Sequence, residues 1–130
     1  PSGRWVPFLV EGAAVTGPVT VTVEAPLDAL PVFVPAGGIV PLLATPVQTL
    51  VAGVDGVTDL DDTEGDRTVF VALGADGAFR EASGAGYALS GTGTTALDAT
   101  ISGDGVVTGE GFTLTLTGHP AGRTTALIFR

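Results

Sequence analysis

The chain has 130 residues and a net charge of −9, from nine Asp and five Glu against five Arg, with no Lys and no Cys. Nucleic acid, whose phosphates demand a basic footprint, is excluded as a partner, and anionic membrane surfaces are disfavoured. Without Cys there are no disulfides, no thiolate nucleophile and no sulfur-built zinc site.

The length fits one domain with one core, since single domains run from about 50 to 250 residues. Neither a membrane span nor a signal peptide is expected, because no segment approaches the ~20 apolar residues a span needs and no basic start precedes an apolar run. Abundant Ala and Gly, with Arg used to the exclusion of Lys, suggest a GC-rich bacterial gene. Many secreted bacterial domains also lack Cys; compartment is left open, with an extracellular or periplasmic location favoured.

Short runs of β-branched and aromatic residues bounded by Gly, Pro and Asp, with almost no helical periodicity, predict an all-β fold. In chain order the expected strands are 5–10, 19–24, 32–34, 39–42, 48–52, 68–72, 78–81, 87–90, 96–102, 106–109, 112–117 and 124–129. Short antiparallel strands at this spacing fit a β-sandwich of jelly-roll type better than a propeller.

Side chains alternate across a strand, so Val19, Val21 and Val23 are expected on the core face and Thr20, Thr22 and Glu24 outside. By the same reading Phe112, Leu114 and Leu116 point inward and Thr113, Thr115 and Thr117 outward. In the last strand both sets, Thr125, Leu127, Phe129 and Ala126, Ile128, are partly apolar, which suits a strand covered on both sides. Pro31, Pro35 and Pro41 cannot donate a ladder hydrogen bond, so the segment from Leu30 to Leu43 lies at edges or bends between sheets. Gly37 and Gly38 supply the positive backbone dihedral a turn there needs. Asp76-Gly77 is a strong hairpin signal between the strands on either side of it.

The stretch from Ala25 to Leu43, APLDALPVFVPAGGIVPLL, follows Pro1, Gly3, Trp5, Gly12 and Gly17 in an ordered pattern. It resembles the β-sandwich that follows the catalytic barrel in family 31 glycoside hydrolases, the α-glucosidase and α-xylosidase group. There the chain reads Pro-x-Gly-x-Trp, two short strands around a Gly turn, then Ala-Pro-Leu-Asp-x-Ile-Pro-Val-Phe-Val-Arg-x-Gly-x-Ile-Ile-Pro-Leu. A fainter likeness continues to residue 91: Gly74, Asp76, Gly77, Phe79, Glu81, Gly84 and Tyr87 keep the frame of Gly-x-Asp-Gly-x-Phe and Tyr-Glu-Asp-Asp-Gly. Departures are Pro35 for the family's Arg, Arg80 for its Tyr, and Ala82 and Ser83 for its paired Asp.

The resemblance implies a non-catalytic accessory domain whose partner is the catalytic barrel of the same polypeptide, since the family's catalytic carboxylates lie on that barrel. It also implies that Leu30, Pro31, Val32, Phe33, Val34, Ile39, Val40, Pro41 and Leu42 pack against the barrel. A start at Pro1, without Met and inside the family pattern, is expected of a processed or trimmed piece. Two other classes stay open: an independent carbohydrate- or protein-binding module of a secreted or surface protein, and a structural shell or surface domain.

Asp55, Asp59, Asp61, Asp62, Glu64 and Asp66 place six carboxylates within twelve residues. Hard oxygen ligands in a flexible loop suit Ca²⁺, although the order is not that of an EF-hand. The alternative is a solvated acidic loop held extended by its own repulsion. Paired carboxylates also serve glycoside hydrolysis, but they need a cleft that raises one pKa, and no second motif supports one here. Ser83, Ser90 and Ser102 have only His119 as a base and no nucleophile elbow. His119, in Gly-His-Pro-Ala-Gly, reads as an exposed turn residue. Trp5 reads as core, and Tyr87 as the candidate for a sugar contact, with an apolar body and a polar tip.

Overall fold

A computed structural model describes residues 1–45, 55–56 and 65–130, and among these there is no helix. The described residues form eleven strands: β1 (Gly3–Pro7), β2 (Val15–Gly17), β3 (Phe33–Pro35), β4 (Ile39–Leu43), β5 (Arg67–Val71), β6 (Gly77–Arg80), β7 (Gly86–Gly91), β8 (Leu97–Ser102), β9 (Gly105–Gly109), β10 (Phe112–Thr117) and β11 (Thr124–Phe129). The all-β expectation is met. The expected strand at 48–52 lies outside the described residues.

The strands make three sheets, ordered β2-β1-β3, β4-β5-β11-β8 and β6-β7-β10-β9. Every pairing is antiparallel except β5 with β11, which run parallel with Val69 opposite Leu127. The two four-stranded sheets face each other as a sandwich. Between them lie Ile39, Val69, Val71, Leu73, Tyr87, Leu89, Phe112, Leu114, Leu116, Leu127 and Phe129, all buried. Phe112, Leu114 and Leu116 thus take the inward positions that their period-two spacing dictates.

The middle sheet is covered on its other face too. Phe70 and Ala72, one residue out of phase with Val69 and Val71, join Val6 and Val34 in a second cluster, flanked by Phe8, Ala14, Val40 and Ile128. The small sheet β2-β1-β3 is therefore a third layer laid on the back of the sandwich. This explains why β5 and β11 are apolar on both faces: each is a central strand with a packed layer above and below.

Pro35 and Pro41 sit on β3 and β4, each an edge strand of its sheet, where a missing ladder donor costs least. Between them the chain passes from the third layer to the middle sheet. Gly37 turns the corner at φ 85°, and Gly38 N–H donates to the Pro35 carbonyl at 2.9 Å. Of the expected pair only Gly37 has a positive dihedral; Gly38 is required because a Cβ there would lie 2.3 Å from Val34 Cγ1.

Two expectations are corrected. Residues 19–24 form no strand, and Val19 and Val21 are exposed at 58% and 43% rather than turned inward. Both edges of β1 are taken by β2 and β3, so the alternating valines do not pair with β1. Asp76-Gly77 is likewise not a hairpin turn. It carries the chain from β5 in the middle sheet to β6 in the other, and β6 pairs with β7 instead. Gly77 fits only without a side chain, because a Cβ would meet the Gly37 carbonyl oxygen at 1.8 Å. The Asp76 carboxylate accepts from Gly91 N–H at 2.7 Å. The β6–β7 hairpin closes through residues 81–85, where Glu81 N–H donates to Ala85 O and Gly84 N–H to Glu81 O.

Candidate functional site

The segment from Leu30 to Leu42, expected to pack on a partner, is divided by the fold. Val34 and Ile39 are buried, but in this chain's own two cores, so neither is free to pack on a partner. Val32, Phe33, Val40 and Pro41 are half-buried, while Leu30, Pro31 and Leu42 are exposed. The alternation that sends Val34 inward sends Phe33 to the outer face of the third layer. There it meets Trp5, Val15, Val19 and Val21 around a shallow cavity of about 310 Å³. Trp5 is accordingly half-buried on an outer face, and Val6, its neighbour, supplies the core contact expected of it.

A second, larger groove of about 490 Å³ runs between the third layer and the uncovered part of the middle sheet. Val6, Phe8, Phe70, Ile128 and Leu42 give it an apolar floor, with Phe8 and Phe70 at a centroid distance of 5.0 Å. Arg4 and Arg130 stand at one end. Arg4 Nη1 donates to the Leu73 carbonyl and, at 3.5 Å, to the Arg130 main-chain oxygen. Burial holds the Arg4 pKa below the usual guanidinium value. Arg130 instead pairs with Asp98 at 2.7 Å, and that hydrogen bond, helped by the attraction of the two charges, holds Asp98 below the ordinary carboxylate value.

At one end of the sandwich the Glu81 carboxylate bridges two arginines, Arg67 Nε at 2.9 Å and Arg123 Nη1 at 3.0 Å. Tyr87 and His119 lie against this cluster, ring to edge with centroids 4.8 Å apart. Neither keeps its expected role. Tyr87 is 2% exposed, so its ring offers no face for a sugar to stack on. Its phenol is pushed up to about 12, first by burial and then by the Glu81 charge, partly offset by Arg123 and Arg67. His119 is buried, with its Nε2 3.2 Å from Gly86 O and its main-chain N–H donating to Asp104 Oδ1 at 2.6 Å. The expected exposure of His119 is thus corrected: Gly118, Pro120, Ala121 and Gly122 are exposed, but the imidazole packs against Tyr87.

Of the acidic cluster, Asp55 and Asp66 are exposed; Asp59, Asp61, Asp62 and Glu64 lie outside the described residues. Asp66 Oδ1 accepts from Thr124 N–H at 2.9 Å, tying the start of β5 to that of β11. Among the described residues no three acidic or imidazole side chains converge as a metal site.

The arrangement defines an all-β sandwich with an added third layer, with a shielded cluster of Glu81, Arg67 and Arg123 at one end. Comparison of the chain with family models, with characterised proteins and with solved structures finds no match. Sequence reasoning missed β2, the third layer and the Glu81 bridge. The nearest signal to the bridge was Glu81 itself, but its arginine partners lie 14 and 42 residues away.

Proposed function

We propose that the chain is a non-catalytic accessory β-sandwich that braces the catalytic barrel of a glycoside hydrolase resembling family 31. The observation that carries this reading is where apolar surface is exposed. Leu9, Val19, Val21, Leu27, Leu30, Leu42 and Leu43 are exposed large apolar residues before residue 44, whereas residues 65–130 expose only Phe79 and Val106. The half with the family-like motif leaves its surface unburied, and the other half closes on itself. At roughly 25 cal/mol per Å² of apolar area, a partner that covers that half gains substantially. Exposed apolar area concentrated in this half of the chain is what the proposed contact rests on.

Tyr87 and His119 are buried, and Glu81 is committed to Arg67 and Arg123. The test is the intact mass and peptide map of the protein as its host makes it. A mass several-fold larger, with peptides of an Asp-bearing barrel upstream of Pro1, is expected. A mass near that of these 130 residues alone would overturn the reading and direct work to a self-standing binding module.

A further inference from the structure

Asp is followed directly by Gly at three places in the chain, Asp55-Gly56, Asp76-Gly77 and Asp104-Gly105. Such a pair can rearrange spontaneously, because a glycine amide nitrogen has no side chain beside it to shield its approach to the aspartate carboxyl. The nitrogen attacks Cγ, a C–N bond forms and water leaves, closing a cyclic succinimide. Water then adds back to either carbonyl of the ring. One product is the original peptide; the other is isoaspartate, in which the main chain runs through the side-chain carboxyl and the former main-chain carboxyl hangs free. Mass is unchanged and nothing is oxidised or reduced.

All three aspartates are exposed, so access to water does not separate them. The freedom of carboxyl and backbone to close the ring does. Asp76 Oδ1 accepts from Gly91 N–H at 2.7 Å. Gly77 opens β6 opposite Leu89, with the Gly37 carbonyl so close behind it that a Cβ would fall 1.8 Å from that oxygen. Asp104 Oδ1 accepts from His119 N–H at 2.6 Å, and Gly105 opens β9 opposite Leu116. In both pairs ring closure requires the carboxylate to leave its donor and the peptide plane to rotate out of a strand pairing, which takes local unfolding.

Asp55-Gly56 has neither restraint. The pair forms a turn and belongs to none of the described strands. Asp55 accepts no hydrogen bond among the described residues, and Gly56, at φ 76°, has open space where a side chain would stand.

We infer that Asp55 is a site of spontaneous isoaspartate formation in the folded protein, and that Asp76 and Asp104 are protected by their main-chain donors and strand pairings. The inference does not depend on whether a barrel precedes the chain.

The test is peptide mapping of the protein as its host makes it, kept at neutral pH well below its melting temperature. A second sample is held unfolded in urea at the same temperature until isoaspartate is measurable at all three sites. Each site is read as a peptide of unchanged mass and shifted retention. Asp55 is expected to convert in the folded protein at close to its rate in urea, while Asp76 and Asp104 fall at least tenfold below theirs. Because each site is compared with itself, differences in neighbouring sequence cancel and no variant is needed. Asp55 slowed tenfold or more by folding, or Asp76 or Asp104 converting as fast folded as unfolded, would overturn the inference.

Discussion

Arg123 and Glu81 pair at 3.0 Å at one end of the sandwich, joining the turn after β6 to the approach to β11, 42 residues apart. The second carboxylate oxygen holds Arg67 at the start of β5. One side chain therefore fastens both four-stranded sheets. Removing one member of a buried ion pair costs about 3–5 kcal/mol, because a charge is left behind without its partner. Glu81→Ala is expected to destabilise the chain by several kcal/mol in urea unfolding, and Glu81→Gln by less. A loss below about 0.5 kcal/mol, the range of surface substitutions, would show that the bridge contributes nothing.

Tyr87 is the chain's one tyrosine, so its ionisation can be followed directly by tyrosinate absorbance. Its phenol titrates at about 12 in the folded chain against an ordinary 10.0. The folded state thus holds the proton more tightly than the unfolded one. The resulting stability is fully present below about pH 10 and is lost as pH rises toward 12. Tyr87→Phe is expected to flatten this loss. At neutral pH the substitution should leave the melting temperature unchanged or raised, since the buried hydroxyl has no hydrogen-bond partner among the described residues and its removal spares a desolvated polar group. Absorbance that titrates at 10 would refute the burial.

Gly77→Ala addresses the crossover between sheets. A Cβ at this position falls 1.8 Å from the Gly37 carbonyl oxygen, which is backbone and cannot rotate aside. Overpacking of this kind costs typically 1–3 kcal/mol. Gly122→Ala, at a position with open space around it, is the control and should change stability little. Equal denaturation midpoints for the two variants would mean that Gly37 and Gly77 do not approach each other.

Leu27 and Leu30, the most exposed of the large apolar side chains, test the bracing role. In this chain by itself, Leu27→Asp and Leu30→Asp should stay within about ±0.5 kcal/mol, as surface changes do. In the complete polypeptide of the proposed enzyme the same changes should lower the melting temperature and increase susceptibility to proteolysis. A complete enzyme indifferent to both would place the barrel contact elsewhere.

The edge positions in the segment from Leu30 to Leu43 could be read from residue order, and the orientation of its side chains could not. Pro35 and Pro41 mark edges because a missing N–H is a local property, and both do lie on edge strands. Whether Phe33 or Val34 faces outward depends on which side of β1 the segment joins, and no periodicity within a three-residue strand contains that information. His119 and Tyr87 were misplaced for the same reason: a turn sequence describes the backbone, whereas the imidazole's position depends on Gly86 and Tyr87, more than thirty residues earlier.

From its sequence alone the chain is committed to β structure, to a strand at 112–117 with a defined inner face, to a strand at 124–129 apolar on both faces, and to a corner at Gly37-Gly38, since all of these follow from alternation and backbone sterics within a few residues. Tertiary structure alone decided that β5 and β6 part into different sheets, that residues 19–24 find no strand partner, and that a third layer covers Phe70 and Ile128. Those outcomes rest on which distant edges are free to pair and which glycines let two backbones touch, and both are settled only when the whole chain closes.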